Sequence, residues 1–592
     1  MAAKALRLAA KALSFLNFSY FLLVFIFFCN FALAMEKIVI YQVLPRLFGN
    51  RVATPVANGS REQNGCGLMS DFTMLALRKL KALGVSHIWY TGLLEHATQT
   101  DYSQLGIERD HCAMVKGRAG SPYAVKDYYD IDPDLAARPE RRMAEFEALV
   151  DRTHRAGLKM VMDFVPNHVA RHYVSDVKPE GVRDFGQDDN DGQAFCAQNN
   201  FYYIPGQRLA CRFDMRGTEA VPYEEMPAKA TGNDCFSAHP GRDDWYETVK
   251  LNYGVDYCGG GVCHFNPVPD TWHKMLHILL YWAGKGVDAF RCDMAEMVPV
   301  EFWAWAVRRV KERHPGVLFI AEVYNPSLYR EYVYRGLFDY LYDKVGLYDC
   351  LRGVTRGERS ASDITLCWQR VDDIRPHMLY FLENHDEPRL ASDFFAGHGQ
   401  KGIPALAVAA LMGGNPFMLY FGQELGERGM EREGFSGVDG RTTIFDYWRV
   451  PTVQQWYAGG RCCSRLIDGE AARLRALYKR VLTLASDETF VSGRFYDLMY
   501  VNMDNPRLDH HRVYAFMRVR GECRYLIVCN FSDREGEVGI NIPRHALEFL
   551  EIPEGIYGAR DVLGSRRVRL SMWADGQAVV SVAAWGAAVM KF

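Results

Sequence analysis

No charge of one sign dominates this sequence. Across 592 residues, 72 acidic and 69 basic side chains leave a formal net charge of −3. That balance gives no bias toward nucleic acid or anionic lipid. Cysteine is sparse: 15 in so long a chain cannot form the dense disulfide framework of a small secreted domain. No pair of them has zinc-site spacing with companion histidines, which removes the usual structural zinc folds. Hydrophobic residues make up 49% and aromatics 13%, a globular composition. The length exceeds what one core can serve and suggests two to four domains.

The N-terminus differs in kind. Lys4, Arg7 and Lys11 precede the apolar run "LSFLNFSYFLLVFIFFCNFALA", which ends in Ala32-Leu33-Ala34. This is the pattern of a signal peptide over residues 1–34, with cleavage before Met35 and export to the periplasm or the exterior. The run is also long enough to span a bilayer, so an uncleaved anchor is the alternative and the one route to a membrane contact. If Met35 is the true start, the protein is cytoplasmic. Five cysteines (196, 211, 235, 258 and 263) cluster in one region, and Cys258 and Cys263 are spaced to close a small loop.

From Met35 onward, short apolar runs alternate with amphipathic helices, the pattern of a parallel α/β fold. Strands are expected at "KIVIYQVL", "HIWYTGLL", "KMVMDFV", "VDAFRC", "VLFIAEV", "FDYLYD", "HMLYFLE" and "PFMLYF". Eight such units make a (β/α)8 TIM barrel over residues 35–168 and 266–487. Residues 169–265 break the alternation and read as an inserted subdomain after strand 3. Beyond residue 488 the period changes to two, at "VYAFMRV", "RYLIVCNF", "GEVGINI" and "AVVSVAAWGAAVM". Residues 488–592 therefore read as a C-terminal antiparallel β-sandwich.

Chemistry in such barrels sits at the C-terminal strand ends, and four of them carry charge. Strand 3 ends with Asp163, Asn167 and His168; strand 4 with Arg291 and Asp293; strand 5 with Glu322; strand 7 with His385 and Asp386. Acids brought together at one end of a barrel repel each other, a cost that function explains better than structure does. Cys292 points away from Arg291 and Asp293 by strand alternation and reads as a buried thiol.

"DFVPNH", "DAFRCD", "AEVYN" and "ENHD", in this order, resemble the four signature segments of the α-amylase family of glycoside hydrolases (family 13). "SPYAVKDYYDIDP" resembles the segment that supplies a tyrosine platform, here Tyr123. The resemblance implies Asp293 as nucleophile, Glu322 as general acid and base, and Asp386 as the carboxylate that steadies the transition state. It implies Arg291 as the partner that orients Asp293, with Tyr123, His168 and His385 around the sugar ring and Asp163 supporting the site from below. The substrate class implied is α-1,4-linked glucan or maltooligosaccharide, cleaved with retention. Two alternatives stand beside hydrolysis: glycosyl transfer by the same residues, and a non-catalytic, membrane-anchored binding protein.

One departure bears on metal. Relatives often carry Lys-His at the third and fourth positions after the nucleophile, and this chain has Glu296 and Met297. That histidine position and the asparagine matching Asn167 contribute to a calcium site in calcium-dependent amylases. A thioether is a poor calcium ligand. The expectation is therefore that no cofactor is required, while Asn167 and the acids of the insertion leave another calcium site open.

Overall fold

The computed structural model describes residues 37–213, 221–435 and 437–592. Residues 1–34, read above as a signal peptide or anchor, lie outside them. Among the described residues no helix is long and apolar enough to cross a membrane.

Eight short strands close a parallel barrel. They are β1 (Val39–Val43), β2 (His87–Tyr90), β3 (Lys159–Phe164), β4 (Ala289–Cys292), β5 (Leu318–Ala321), β6 (Tyr340–Tyr342), β7 (Met378–Phe381) and β8 (Phe417–Tyr420). The closed order is β1-β8-β7-β6-β5-β4-β3-β2. Strands covered on both faces must be apolar throughout, and β1, β2, β7 and β8 are buried at every position. The helix Arg142–Arg155 shows the complementary pattern, burying Phe146, Leu149, Val150 and Thr153 along one stripe. Gly157 then takes φ +74, a left-handed turn that releases the chain into β3.

Register is what assembles the site. Arg291 on β4 lies opposite Asp163 on β3 and Ile320 on β5, and Cys292 lies opposite Ala321. The next residues, Asp293 and Glu322, are thereby set side by side just beyond the paired strands. The Asp293 amide still donates to the Phe164 carbonyl (2.9 Å) and the Glu322 amide to that of Cys292 (3.1 Å).

Three features differ from the expectation. The segment read as one strand over 87–94 is two, because Gly92 at φ +77 ends β2. The chain restarts as Leu94–His96, paired antiparallel with Val125–Ile131. In the insertion, only short ladders form: His168–Ala170 with Thr248–Lys250, Tyr203–Ile204 with Ala228–Lys229, and Val255–Asp256 with Val262–Cys263. Cys258 and Cys263 are exposed thiols, so backbone pairing closes that hairpin and no disulfide does.

The C-terminal strands are antiparallel, as expected. β9 (Arg494–Asp497), β10 (Val513–Arg520), β11 (Cys523–Asn530), β12 (Gly536–Ile542), β13 (Gly555–Asp561), β14 (Arg567–Met572), β15 (Gly576–Val582) and β16 (Gly586–Lys591) follow in sequence. They form a six-stranded sheet, β9-β10-β11-β16-β13-β14, and a ribbon, β12-β15. The run "AVVSVAAWGAAVM", read as one strand, is split between β15 and β16. Trp585 between them has φ +48.

Candidate active site

At the centre is one buried cation among three carboxylates. The Arg291 side chain is 1% exposed; Nη1 lies 2.7 Å from Asp293 Oδ1 and 3.5 Å from Asp163 Oδ1. Nη2 lies 2.8 Å from Glu322 Oε2, a charge contact without hydrogen-bond alignment. The guanidinium is also within 5.2 Å of the Trp89 ring centre and 5.4 Å of that of Tyr123. Burial pushes the Asp293 carboxyl well above its ordinary range; Arg291 opposes the rise and the charge of Glu322 adds to it.

Glu322 is fixed from two sides. The backbone N–H of Met294 donates to Oε2 (2.8 Å), and the Tyr324 hydroxyl donates to Oε1 (2.6 Å). Met294 holds φ +42, a left-handed conformation that is costly for a side-chain-bearing residue and is kept here by its surroundings. Glu296 acts one step further out, accepting the N–H groups of Tyr324 (3.1 Å) and Asn325 (2.9 Å). It orders the loop that aims the Tyr324 hydroxyl at Glu322.

Tyr123 and His385 stack, with ring centres 5.2 Å apart. The Tyr123 hydroxyl meets His385 Nε2 at 2.6 Å and Gln42 meets Nδ1 at 2.8 Å. Both ring nitrogens are engaged within the protein, so His385 steadies Tyr123 rather than presenting a free donor. Burial, then the charge of Arg291, holds His385 well below its usual range, and it is neutral. Asp163 lies beneath, taking the indole N–H of Trp89 (2.8 Å) and the Tyr123 hydroxyl (3.4 Å). Burial raises its carboxyl to about 6.

Asp386 projects into the cleft with its side chain 42% exposed. Desolvation there and the charge of Glu322 push its carboxyl up to about 7. Backbone N–H groups of Asp386 and Glu387 both donate to Asn384 Oδ1 (2.9 Å each) and set the turn. Asp293, Glu322, Asp386, Tyr123 and His168 line one cleft of about 500 Å³, together with Trp245 from the insertion. The His168 ring contacts Trp245, centres 5.2 Å apart; burial lowers its pKa to about 3.

Asn167 does not face an oxygen-lined gap. Its Oδ1 accepts from the buried Lys250 ammonium at 2.5 Å, and the same Nζ reaches the Met297 carbonyl (3.3 Å) and Asp234 Oδ1 (2.7 Å). A divalent cation there would meet a fixed positive charge. These residues do not fit calcium at this position.

Sequence reasoning missed Gln42, Trp89, Trp245, Tyr324 and Lys250. Two of them left a signal: Gln42 is a polar residue inside an apolar strand, and Tyr324 shares a face with Glu322 by its i+2 spacing. Trp245 and Lys250 arrive from the insertion, where no period could be read.

Residues 73–335 match the family described as alpha amylase, catalytic domain. The chain carries an alpha-amylase-family catalytic domain. Alpha-amylase MalA of Haloarcula japonica is 26% identical over 407 residues, covering 67% of this chain and 45% of that one. An alpha-1,4-glucan:maltose-1-phosphate maltosyltransferase of Cereibacter sphaeroides is 30% identical over 312 residues, covering 52% of this chain and 41% of that one. The chain thus spans about half the length of the curated relatives it matches. The crystal structure of the maltogenic alpha-amylase AmyB of Thermotoga neapolitana shares the fold, with TM-score 0.60 and 20% identity, over 95% of this chain and 99% of that one.

Proposed function

We propose that this alpha-amylase-family protein is a retaining glycosidase that cleaves α-1,4-glucosidic bonds of glucans or maltooligosaccharides. The observation that carries the reading is the Arg291 guanidinium in contact with both Asp293 and Glu322. One guanidinium bridging two carboxyls draws them together. Retaining enzymes hold theirs about 5–5.5 Å apart, whereas inverting enzymes leave about 6.5–9.5 Å for a water.

In this mechanism Glu322 gives its proton to the leaving glycosidic oxygen while Asp293 attacks the anomeric carbon and forms a glycosyl ester. Water, deprotonated by Glu322, then cleaves the ester and restores both groups. Tyr123 supplies the platform beneath the ring. Asp386 binds ring hydroxyls most strongly as the oxocarbenium-like charge develops.

Transfer of the glycosyl group to a second sugar is the alternative, favoured by the maltosyltransferase relative. Incubation with maltotriose and product analysis separate the two: glucose and maltose alone indicate hydrolysis, and products longer than maltotriose indicate transfer. Equal, negligible turnover by the wild type and Glu322→Gln over a panel of α-glucans would overturn the enzymatic reading itself. The same reading assigns no metal to Asn167: the Lys250 ammonium serves there as the resident cation between barrel and insertion.

A further inference from the structure

Three segments from distant parts of the chain meet around the cleft that holds the platform tyrosine. Residues 116–121 lead into Tyr123, residues 245–248 come from the insertion, and residues 444–445 lie beyond the last barrel strand; each contributes to the lining. The first and third are fastened to each other. The Ala119 N–H donates to the Phe445 carbonyl (3.0 Å). One nitrogen of the buried Arg46 guanidinium reaches the carbonyls of both Gly120 (3.3 Å) and Ile444 (3.2 Å). Gly117 permits the approach, since its φ is +67 and a Cβ there would strike the Phe445 carbonyl.

The first and second segments are joined by charge. Lys116 Nζ lies 2.8 Å from Glu247 Oε1, with the side chains only 11% and 6% exposed, and sits 5.2 Å from the centre of the Tyr246 ring. A pair on the rim of an open groove would be solvated; this one is covered. Buried pairs add little net stability over apolar packing, so its place in the cleft explains it better than its strength. The charge of Lys116 bears on His168, whose ring meets Trp245. Glu322, whose proton goes to the leaving oxygen, is held instead by Met294 and Tyr324. The pair therefore belongs with the part of the substrate that the enzyme retains, on the side of its non-reducing end.

We propose that the Lys116–Glu247 pair closes that end of the cleft and makes the enzyme exo-acting, taking the non-reducing end of an α-glucan and releasing one short product. This rests on the glycosidase reading above and deepens it. A cleft of about 500 Å³ has the size of a site that encloses a small ligand, whereas cleavage within a chain needs a groove open at both ends. A cyclic glucan has no end to insert, and a chain blocked at its non-reducing end brings added bulk against the pair.

The test incubates the full chain with maltoheptaose, with maltoheptaose carrying an ethylidene block on its non-reducing end, and with β-cyclodextrin, following initial rates and products by chromatography. Maltoheptaose is expected to give a single short saccharide from the earliest times, and the other two to react slower by about 10²-fold or more. The double substitution Lys116→Ala with Glu247→Ala strands no charge and opens the end, so the blocked substrate recovers at least about tenfold relative to the linear one. A merely structural pair would lower both rates together and leave their ratio unmoved, which overturns the proposal. Wild-type cleavage of the blocked or cyclic substrate at the linear rate overturns it equally, and that comparison decides the matter should the double variant fail to fold. Turnover of none of the three strikes the glycosidase reading, and this proposal with it.

Discussion

Two arginines in this molecule sit among carboxylates, and the two groups are resolved differently. Around Arg291, Asp163, Asp293 and Glu322 all reach the guanidinium. Around Arg142, Asp130 and Asp176 reach it while Glu95 is left with both oxygens bare. Burial, then the neighbouring charges of Asp176, Asp127 and Asp130, push the Glu95 carboxyl up to about 9. The lesson concerns geometry rather than charge count. A guanidinium placed on the strand between two acids can serve both, whereas one arriving from a helix meets only the acids on its side.

The contrast is broken or sharpened most strongly by Glu322→Gln. If the Arg291 cluster is the reacting one, kcat falls about 10²–10⁴-fold, measured on maltooligosaccharides, while Glu95→Gln shifts Tm and leaves kcat unchanged. Next comes Arg291→Met, which leaves three buried carboxylates uncompensated and costs about 3–5 kcal/mol in urea unfolding.

A smaller effect is expected at Lys250. Lys250→Met strands the Asn167 oxygen and lowers stability by about 1–3 kcal/mol, and added calcium does not restore it. Restoration by calcium would show that the asparagine belongs to a metal site after all. The smallest effect is a pH slope. The folded Asp386 carboxyl keeps its proton up to about 7, against an ordinary 3.8. Its contribution to stability is therefore full below the lower value and is lost as pH rises through the upper one. Calorimetric Tm of the substrate-free protein falls over that window, and Asp386→Asn flattens the fall.

Much of the site was legible because its residues lie at strand ends, where period and position coincide. Arg291 and Asp293 could be put on one face, and Glu322 and Asp386 at the same end of the barrel, without any coordinates. The partners that fix their chemistry were not legible. The pairing of Gln42 with His385 joins residues 343 positions apart, and no local period reports a contact of that kind. The split at Gly92 was missed for the opposite reason: apolar residues continue through the turn and conceal it.

The alternation of apolar runs with amphipathic helices determined the barrel, since strands covered on both faces must be apolar and the helices outside must show one apolar stripe. The charged strand ends determined where chemistry would sit. Only the tertiary structure decided what stands at Asn167 and what surrounds Glu95. Lys250 reaches Asn167 across 83 residues because the ladder sets Lys250 opposite His168. Glu95 meets Asp127 because the hairpin register places it there. Register is a property of paired strands, and a side chain's electrostatic surroundings are complete only when the pairing is made.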